Sequence, residues 1–473
     1  MKKLLSILLA FVMLLSIVLA LPVPASAESL YIRKIVSVVY DDSGSMTGDK
    51  WAYANYAMQA FCGMLNSEDQ LFVTYMSHSQ QQVNYEPEKI DLSSGGIQAS
   101  VNSIRNHTSS GSTPYKAVEK AFEKLKTVND PNPNTQYWLV VITDGDFDEI
   151  YSAGNSEKKK FLNDKFETYT ETMMPNGTKP QVTFLGIGNV ASPDQDTNQG
   201  IYTYSASSSK AIIGAMSEMA DRISGRTRLQ SNAVKKIDDN TIRVSSAIPL
   251  LNIAVFAQGS QAKIIGAATD EGAKIPISRE ASLKYSNYSD LVGGAFLLGD
   301  STTIIGAGSY DITFDRSVDL EDVVVLFEPA LEMRMTLTLN GQTITDYRDL
   351  DDTMVGDKVS VSCKIYEMGT NNEIDPALMP TGTTFEIVIS EDGKVVKQHS
   401  GKDMQLSDFV LRDVETEIRG AVTIEGFNPI DFAVEFTPAK YVPRVTYTVS
   451  ADFVSDVKSV RYDEISTNED LAI

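Results

Sequence analysis

Five oxygen-bearing side chains, spread over three segments, have the chemistry to hold a hard cation together. Residues 41–46 read Asp-Asp-Ser-Gly-Ser-Met, with Asp41, Ser43 and Ser45 at alternate positions and Gly44 to bend the loop between them. Thr113 follows Gly111 and Ser112 and precedes Pro114, where a helix is expected to start. Asp144 stands between Thr143 and Gly145 at the end of an apolar run. Every donor is an oxygen, and Ser43, Ser45 and Thr113 contribute neutral hydroxyls. Magnesium prefers six oxygens in a near-octahedron and keeps several waters, so Mg2+ is the expected ion, with Mn2+ or Ca2+ as alternatives. Any one of these residues could instead cap a helix or a turn; five in this arrangement argue for a common site.

The site requires elements that bring the three segments to one place. Residues 35–40 form a β-branched run that stops at the Asp/Ser/Gly cluster. A helix follows, with Trp51, Ala54, Met58, Cys62 and Leu65 at helical spacing. Residues 71–76 are a second strand. After Pro114 comes a helix with Tyr115, Val118, Phe122 and Leu125 on one face. Residues 138–142 are almost wholly apolar, as a strand buried on both faces should be. Residues 156–173 predict a helix with Leu162, Phe166, Tyr169 and Met173 inward, 182–187 a strand, and Ile212, Met216, Met219 and Ile223 a closing helix. Alternation of this kind implies an α/β fold, a doubly wound and mainly parallel sheet covered on both sides. In such a sheet ligands bind outside the carboxyl ends of the strands, which is where all three segments fall.

The stretch 38–46 resembles the metal-ion-dependent adhesion site loop of von Willebrand factor type A domains, whose pattern is Asp-x-Ser-x-Ser. Thr113 matches that family's separate metal-site threonine, and Asp144 its separate aspartate. The resemblance covers about residues 34–226. It implies a Rossmann-like sheet with one antiparallel edge strand. It also implies that the hydroxyls of Ser43, Ser45 and Thr113 touch the metal, while the carboxylates of Asp41 and Asp144 act largely through water or serine, so that few direct negative ligands leave the ion electron-poor and a carboxylate from a protein partner can complete its shell. Asp42 occupies the motif's variable position and should point away from the metal. Together with Asp146 and Asp148 it is expected to form a solvated acidic rim.

Nothing in the chain makes a catalytic set, so the protein is expected not to be an enzyme. A hydrolase needs an activated nucleophile or a paired acid and base. The three histidines, His78, His107 and His399, have no recognisable catalytic setting, and His107 is expected to lie exposed in the loop leading to Thr113. Gly186-Ile187-Gly188 lacks the third glycine of a dinucleotide fingerprint.

Lys2 and Lys3, an apolar run over residues 4–21, Pro22, Pro24 and the small residues Ala25-Ser26-Ala27 read as a signal peptide cleaved after Ala27. Export to the medium or the cell surface is the expectation, with no transmembrane segment after cleavage. Loss of the two lysines takes the formal charge from -22 to -24. So acidic a surface repels nucleic acid and anionic lipid and favours cations. The two cysteines, Cys62 and Cys363, fall in different predicted domains and read as buried free thiols.

Near Arg226 the pattern changes to short strands separated by Gly, Asp and Asn, the mark of an antiparallel sandwich. Strands are expected at 241–245, 252–258, 262–267, 293–298, 310–314 and 322–327. A second all-β block has strands at 333–339, 357–366, 383–389 and 432–436, with Asn340-Gly341 and Asp392-Gly393 as hairpin turns. The expected division is a signal peptide at 1–27, a type A domain at 28–227, a β-sandwich at 228–330 and an immunoglobulin-like β domain at 331–440. Residues 441–473 would be a linker or the start of a further β segment. The sandwich at 229–328 is expected to act as a spacer. Three roles fit: an adhesin-like module that grips a protein ligand, a structural subunit of a cell-envelope or pilus-like assembly, or an accessory subunit of an extracellular enzyme or transporter.

Overall fold

A computed structural model describes residues 32–81, 85–130, 135–229, 233–300, 302–344, 350, 352–424 and 429–440. The expected signal peptide at 1–27 and the segment 441–473 lie outside them.

The first sheet holds β1 (Lys34–Tyr40), β2 (Gln70–Tyr75), β3 (Glu88–Ile90), β4 (Gln136–Thr143), β5 (Gln181–Ile187) and β6 (Ile201–Ala206) in the order β3-β2-β1-β4-β5-β6. All neighbours are parallel except β3, which runs antiparallel to β2 at the edge. The helices are α1 (Gly48–Met64), α2 (Met76–Gln81), α3 (Ile97–Asn106), α4 (Lys116–Thr127), α5 (Asn155–Glu171) and α6 (Ser209–Ser224). Period-two alternation divides each strand between two cores. Val36, Val38 and Tyr40 of β1 face α1, α3 and α6, and Ile35 and Val39 face α4 and α5. Both cysteines are buried and free. One inward assignment fails: α5 ends at Glu171, Thr172 turns extended, and Met173 is left 59% exposed. Met174 takes the buried place instead.

Helix α1 explains how the next unit is attached. A surface helix has one apolar stripe, but every residue of α1 from Trp51 to Met64 is buried. Trp51, Ala54, Met58 and Cys62 were the expected inward face. The side bearing Tyr53, Tyr56, Ala57, Ala60 and Met64 is covered as well, by a second sheet. That sheet comprises β7 (Thr227–Arg228), β10 (Leu250–Gln258), β12 (Ile277–Lys284), β13 (Val292–Leu298) and β15 (Val323–Pro329), in the order β12-β13-β10-β15-β7. Ala254, Phe256, Ala281, Leu283, Ala295, Leu297 and Leu326 from it join the core of α1, α3 and α6. Its opposite face packs on a four-stranded sheet of β8 (Lys235–Lys236), β9 (Thr241–Ser246), β11 (Ile264–Thr269) and β14 (Gly308–Phe314). The sandwich is therefore fused to the helical face of the α/β unit, not hung from its end. Close approach sets the sequence locally: a Cβ on Gly63 of α1 would stand 2.5 Å from the Ala295 Cβ of β13.

Two buried arginines close the C-terminal end of α1, whose last turn has no basic residue of its own. Arg279 of β12 donates to Gly63 O at 2.8 Å, to Leu92 O at 2.9 Å and to Leu65 O. Arg226, just after α6, donates to Met64 O, and its Nε donates to Asn252 Oδ1 at 2.9 Å. Cations are favourable at a helix C-terminus, where carbonyls lack intrahelical partners.

The third unit is a pair of four-stranded antiparallel sheets around a core that includes Met333, Met335, Leu337, Cys363, Ile387, Ile389 and Ile418. Asn340 and Gly341, and likewise Asp392 and Gly393, have positive φ, as a two-residue type I′ hairpin turn requires.

Both tryptophans of the chain, Trp51 and Trp138, lie in the α/β unit, which makes the fusion testable. Arg279→Met keeps the apolar stem but strips buried carbonyls of their donor, at an expected cost of about 3 kcal/mol. The tryptophan fluorescence transition in urea should move to lower denaturant, although the substitution is in the sandwich. An unmoved transition would mean that the two units are not energetically joined.

Candidate metal centre

Asp41 is the first residue beyond β1, and its backbone N–H continues the pairing with β4 by donating to Ile142 O at 3.0 Å. The chain then leaves the sheet and curls. Ser43 N–H donates back to Asp41 Oδ1 at 2.8 Å. The other oxygen, Asp41 Oδ2, accepts from Thr143 Oγ1 at 2.8 Å and from Asp144 N at 3.2 Å, so it ties the ends of β1 and β4 together. The loop is pinned to the third segment by Gly44 N to Gly111 O at 3.0 Å and by Ser110 N to Asp42 O. Gly111 has a φ of 93°, a backbone conformation glycine adopts without steric cost.

The structure brings the five expected residues to one edge. Ser43 Oγ and Ser45 Oγ are 2.8 Å apart, and Ser45 Oγ donates to Asp144 Oδ1 at 2.7 Å. Thr113 is nearly buried, and its Oγ1 lies 3.6 Å from where a Cβ on Gly145 would stand. A Cβ at 145 would therefore be in van der Waals contact with the threonine hydroxyl. Asp148 N donates to Thr113 O at 2.9 Å and closes the loop after β4 onto the segment before α4.

The electrostatics call for a cation. Asp41 is fully buried, and the Asp144 carboxylate has no exposed surface. Burial pushes the Asp41 carboxyl above its ordinary range; hydrogen bonds from Ser43 and Thr143 oppose that shift, and the neighbouring Asp144 charge adds to it. Two adjacent carboxylates and a run of hydroxyls suit a hard ion with oxygen ligands. Among the described residues no group of three or more His, Cys, Asp or Glu side chains forms a metal cluster. The candidate site thus depends on hydroxyls, and its donor set fits magnesium better than zinc.

Three expectations around the site are corrected. Asp42 does turn from the hydroxyl cluster, but it is not part of a solvated rim: it is fully buried. Its carboxylate accepts from Ser77 N at 2.8 Å and from Ser77 Oγ, and it pairs with His107 Nε2 at 2.8 Å. His107 is not an exposed loop histidine. Its side chain is 16% exposed, it stacks on Tyr75 with ring centroids 3.7 Å apart, and it lies near Trp51 and His78. Asp146 is engaged too, by Lys158 Nζ at 2.6 Å and Ala191 N at 3.2 Å. Of the three extra acids only Asp148 is largely exposed. Two contributors went unread in the sequence. Thr143 was visible beside Asp144, but nothing in its spacing said that it would hold Asp41. Lys50, which contacts Asp144 and lies 3.4 Å from Ser45 O, has no sequence signature.

This strand order, with its antiparallel edge and its hydroxyl-and-carboxylate crevice at the ends of β1 and β4, defines a Rossmann-like domain that resembles the von Willebrand factor type A domain. No protein-family model matches the chain, and no curated protein does. Similar solved structures include a von Willebrand factor type A protein from Catenulispora acidiphila, at 10% identity and TM-score 0.29 over 79% of this chain and 66% of that one. Another is proximal thread matrix protein 1 from the mussel byssus, with a zinc-occupied adhesion-site motif, at 14% identity and TM-score 0.27 over 41% of this chain and 46% of that one. A third is the PilB minor pilin from Streptococcus sanguinis, at 12% identity and TM-score 0.27 over 41% and 62%. The chain thus spans 66% or less of each of these proteins' length. At these TM-scores the likeness carries no argument about the site.

The Asp42 cluster supplies a test of its own. Asp42→Ala removes the acceptor of Ser77 and His107 and should lower the unfolding free energy by about 3 kcal/mol, as expected for buried hydrogen bonds to a charged group. Urea denaturation checks it. A loss below about 1 kcal/mol would return Asp42 to the role of a solvated surface acid.

Proposed function

We propose that this is an exported binding protein that captures an acidic group of a protein partner through a divalent cation held at Asp41, Ser43, Ser45, Thr113 and Asp144. The observation that supports it best is the hydrogen-bonded run Ser43–Ser45–Asp144 beside the buried Asp41 carboxylate. When bound, the ion supplies a coordination position that a partner carboxylate can fill.

The chain's own residues account for the rest. Asp41 is locked by Ser43 N, Thr143 Oγ1 and Asp144 N, so it fixes the loop and contributes negative charge without needing to ligate directly. The Ser43, Ser45 and Thr113 hydroxyls are neutral donors, and they leave the positive charge of the site largely available to an incoming anion. Groups held this way cost little reorganisation at the moment of binding. No histidine or cysteine stands among the five residues to act as a base or nucleophile. The fused sandwich, anchored on α1 directly behind the loop, suits a module that holds its binding face rigid against the rest of the chain.

Calorimetry on the whole chain tests the assignment. Mg2+ and Mn2+ should bind a single site, and Asp41→Ala and Ser43→Ala should each weaken binding by about tenfold or more. Affinity unaltered by both substitutions would remove these residues from the metal site.

A further inference from the structure

Lys50 lies in the first turn of α1, directly after the metal loop. Its ammonium contacts Asp144 Oδ2 and lies 3.4 Å from Ser45 O. Asp144 thereby divides its two oxygens: Oδ1 takes the Ser45 hydroxyl at 2.7 Å, and Oδ2 takes the lysine. The acid is fully buried and the lysine one-third exposed. This lysine does not suit its helix, because a positive charge in a first turn opposes the macrodipole. Its position answers instead to the buried acids. Asp41 and Asp144 are like charges removed from solvent at one sheet edge, and such a pair needs a compensating cation.

We propose that Lys50 is a tethered counter-ion that sets the metal affinity of this site, neutralising Asp144 in the metal-free protein and opposing the divalent ion that takes its place. The proposal rests on the metal-site reading above. Two carboxylates and one ammonium leave the metal-free group with a single net negative charge. A divalent ion entering with Lys50 still in place makes the group net positive, so the ammonium must swing outward or be tolerated at a cost in affinity. Its partial exposure gives it a path into solvent. A neutral side chain at 50 removes that competition and leaves both carboxylates to the metal. It also leaves them uncompensated when no metal is present. The two effects have opposite signs, and that distinguishes a counter-ion from a residue that merely packs.

The test is Mg2+ calorimetry and metal-free thermal melting on the whole chain, for wild type, Lys50→Met, Lys50→Gln and Lys50→Arg. Both neutral variants should bind Mg2+ about tenfold tighter and melt at lower temperature without metal, while Lys50→Arg stays close to wild type in both. Equal or weaker Mg2+ affinity in both neutral variants, with wild type still binding, overturns the proposal and leaves the metal site standing. Absence of Mg2+ binding in every form overturns the two together.

Discussion

Two buried carboxylates at the carboxyl edge of one sheet are the constraint around which the α/β unit is arranged. Asp41 ends β1 and Asp144 follows β4, and the parallel pairing of those strands puts the acids side by side. Isolated buried charges are costly, and they persist when hydrogen-bonded or paired. Here the chain supplies Ser43 N, Thr143 Oγ1, Ser45 Oγ, Asp144 N and the Lys50 ammonium. The hydrogen bonds fix the loop. They balance little of the charge, and beside these two acids the Lys50 ammonium is the cation that contacts Asp144.

Helix α1 carries that arrangement into the rest of the protein. Its first turn presents Lys50 to the acids, its middle lies between two sheets, and its C-terminal carbonyls are closed by Arg226 and Arg279. At the sandwich's hairpin between β12 and β13, Tyr288 donates to Asp49 Oδ1 at 2.7 Å and Tyr53 donates to Asp290 Oδ2. The tyrosine–aspartate contacts cross the interface in both directions, through Asp49 and Tyr53 on either side of Lys50. The sandwich therefore meets the start of α1 through packed and hydrogen-bonded side chains.

Much of this was legible in the sequence, and the parts that were not share a physical reason. The strands at 35–40, 71–76, 138–142 and 182–187 declare themselves because a doubly covered strand is a continuous apolar run. The five candidate residues fall at strand ends along the chain, which is why their gathering at one sheet edge could be read from their order. The resemblance implied an antiparallel edge strand without placing it, and strands β3 and β6 and helices α2 and α3 were not placed, with 182–187 taken as the last strand: β3 is short with two exposed residues, β6 buries only Ile201 and Ala206, α2 has six residues, and α3 buries only Ile97, Val101 and Ile104. Tyr53, Tyr56, Ala57, Ala60 and Met64 form a second buried face on α1 that a reading of one apolar stripe passed over, and periodicity in any case reports that a face is apolar, not what covers it. The environments of Asp42 and His107 were misjudged because partners 35 and 65 residues apart leave no local pattern.

The central claim is that the hydroxyls of Ser43, Ser45 and Thr113 converge on one hard cation. A crystal of the whole chain grown with Mn2+ measures this directly through the metal's anomalous scattering. One strong peak is expected at about 2.0–2.3 Å from the three hydroxyl oxygens, with the coordination shell completed by water or by a carboxylate from a neighbouring molecule. A peak seated instead on Asp146 and Asp148, or no peak beside Ser43 and Ser45 at saturating Mn2+, would contradict it.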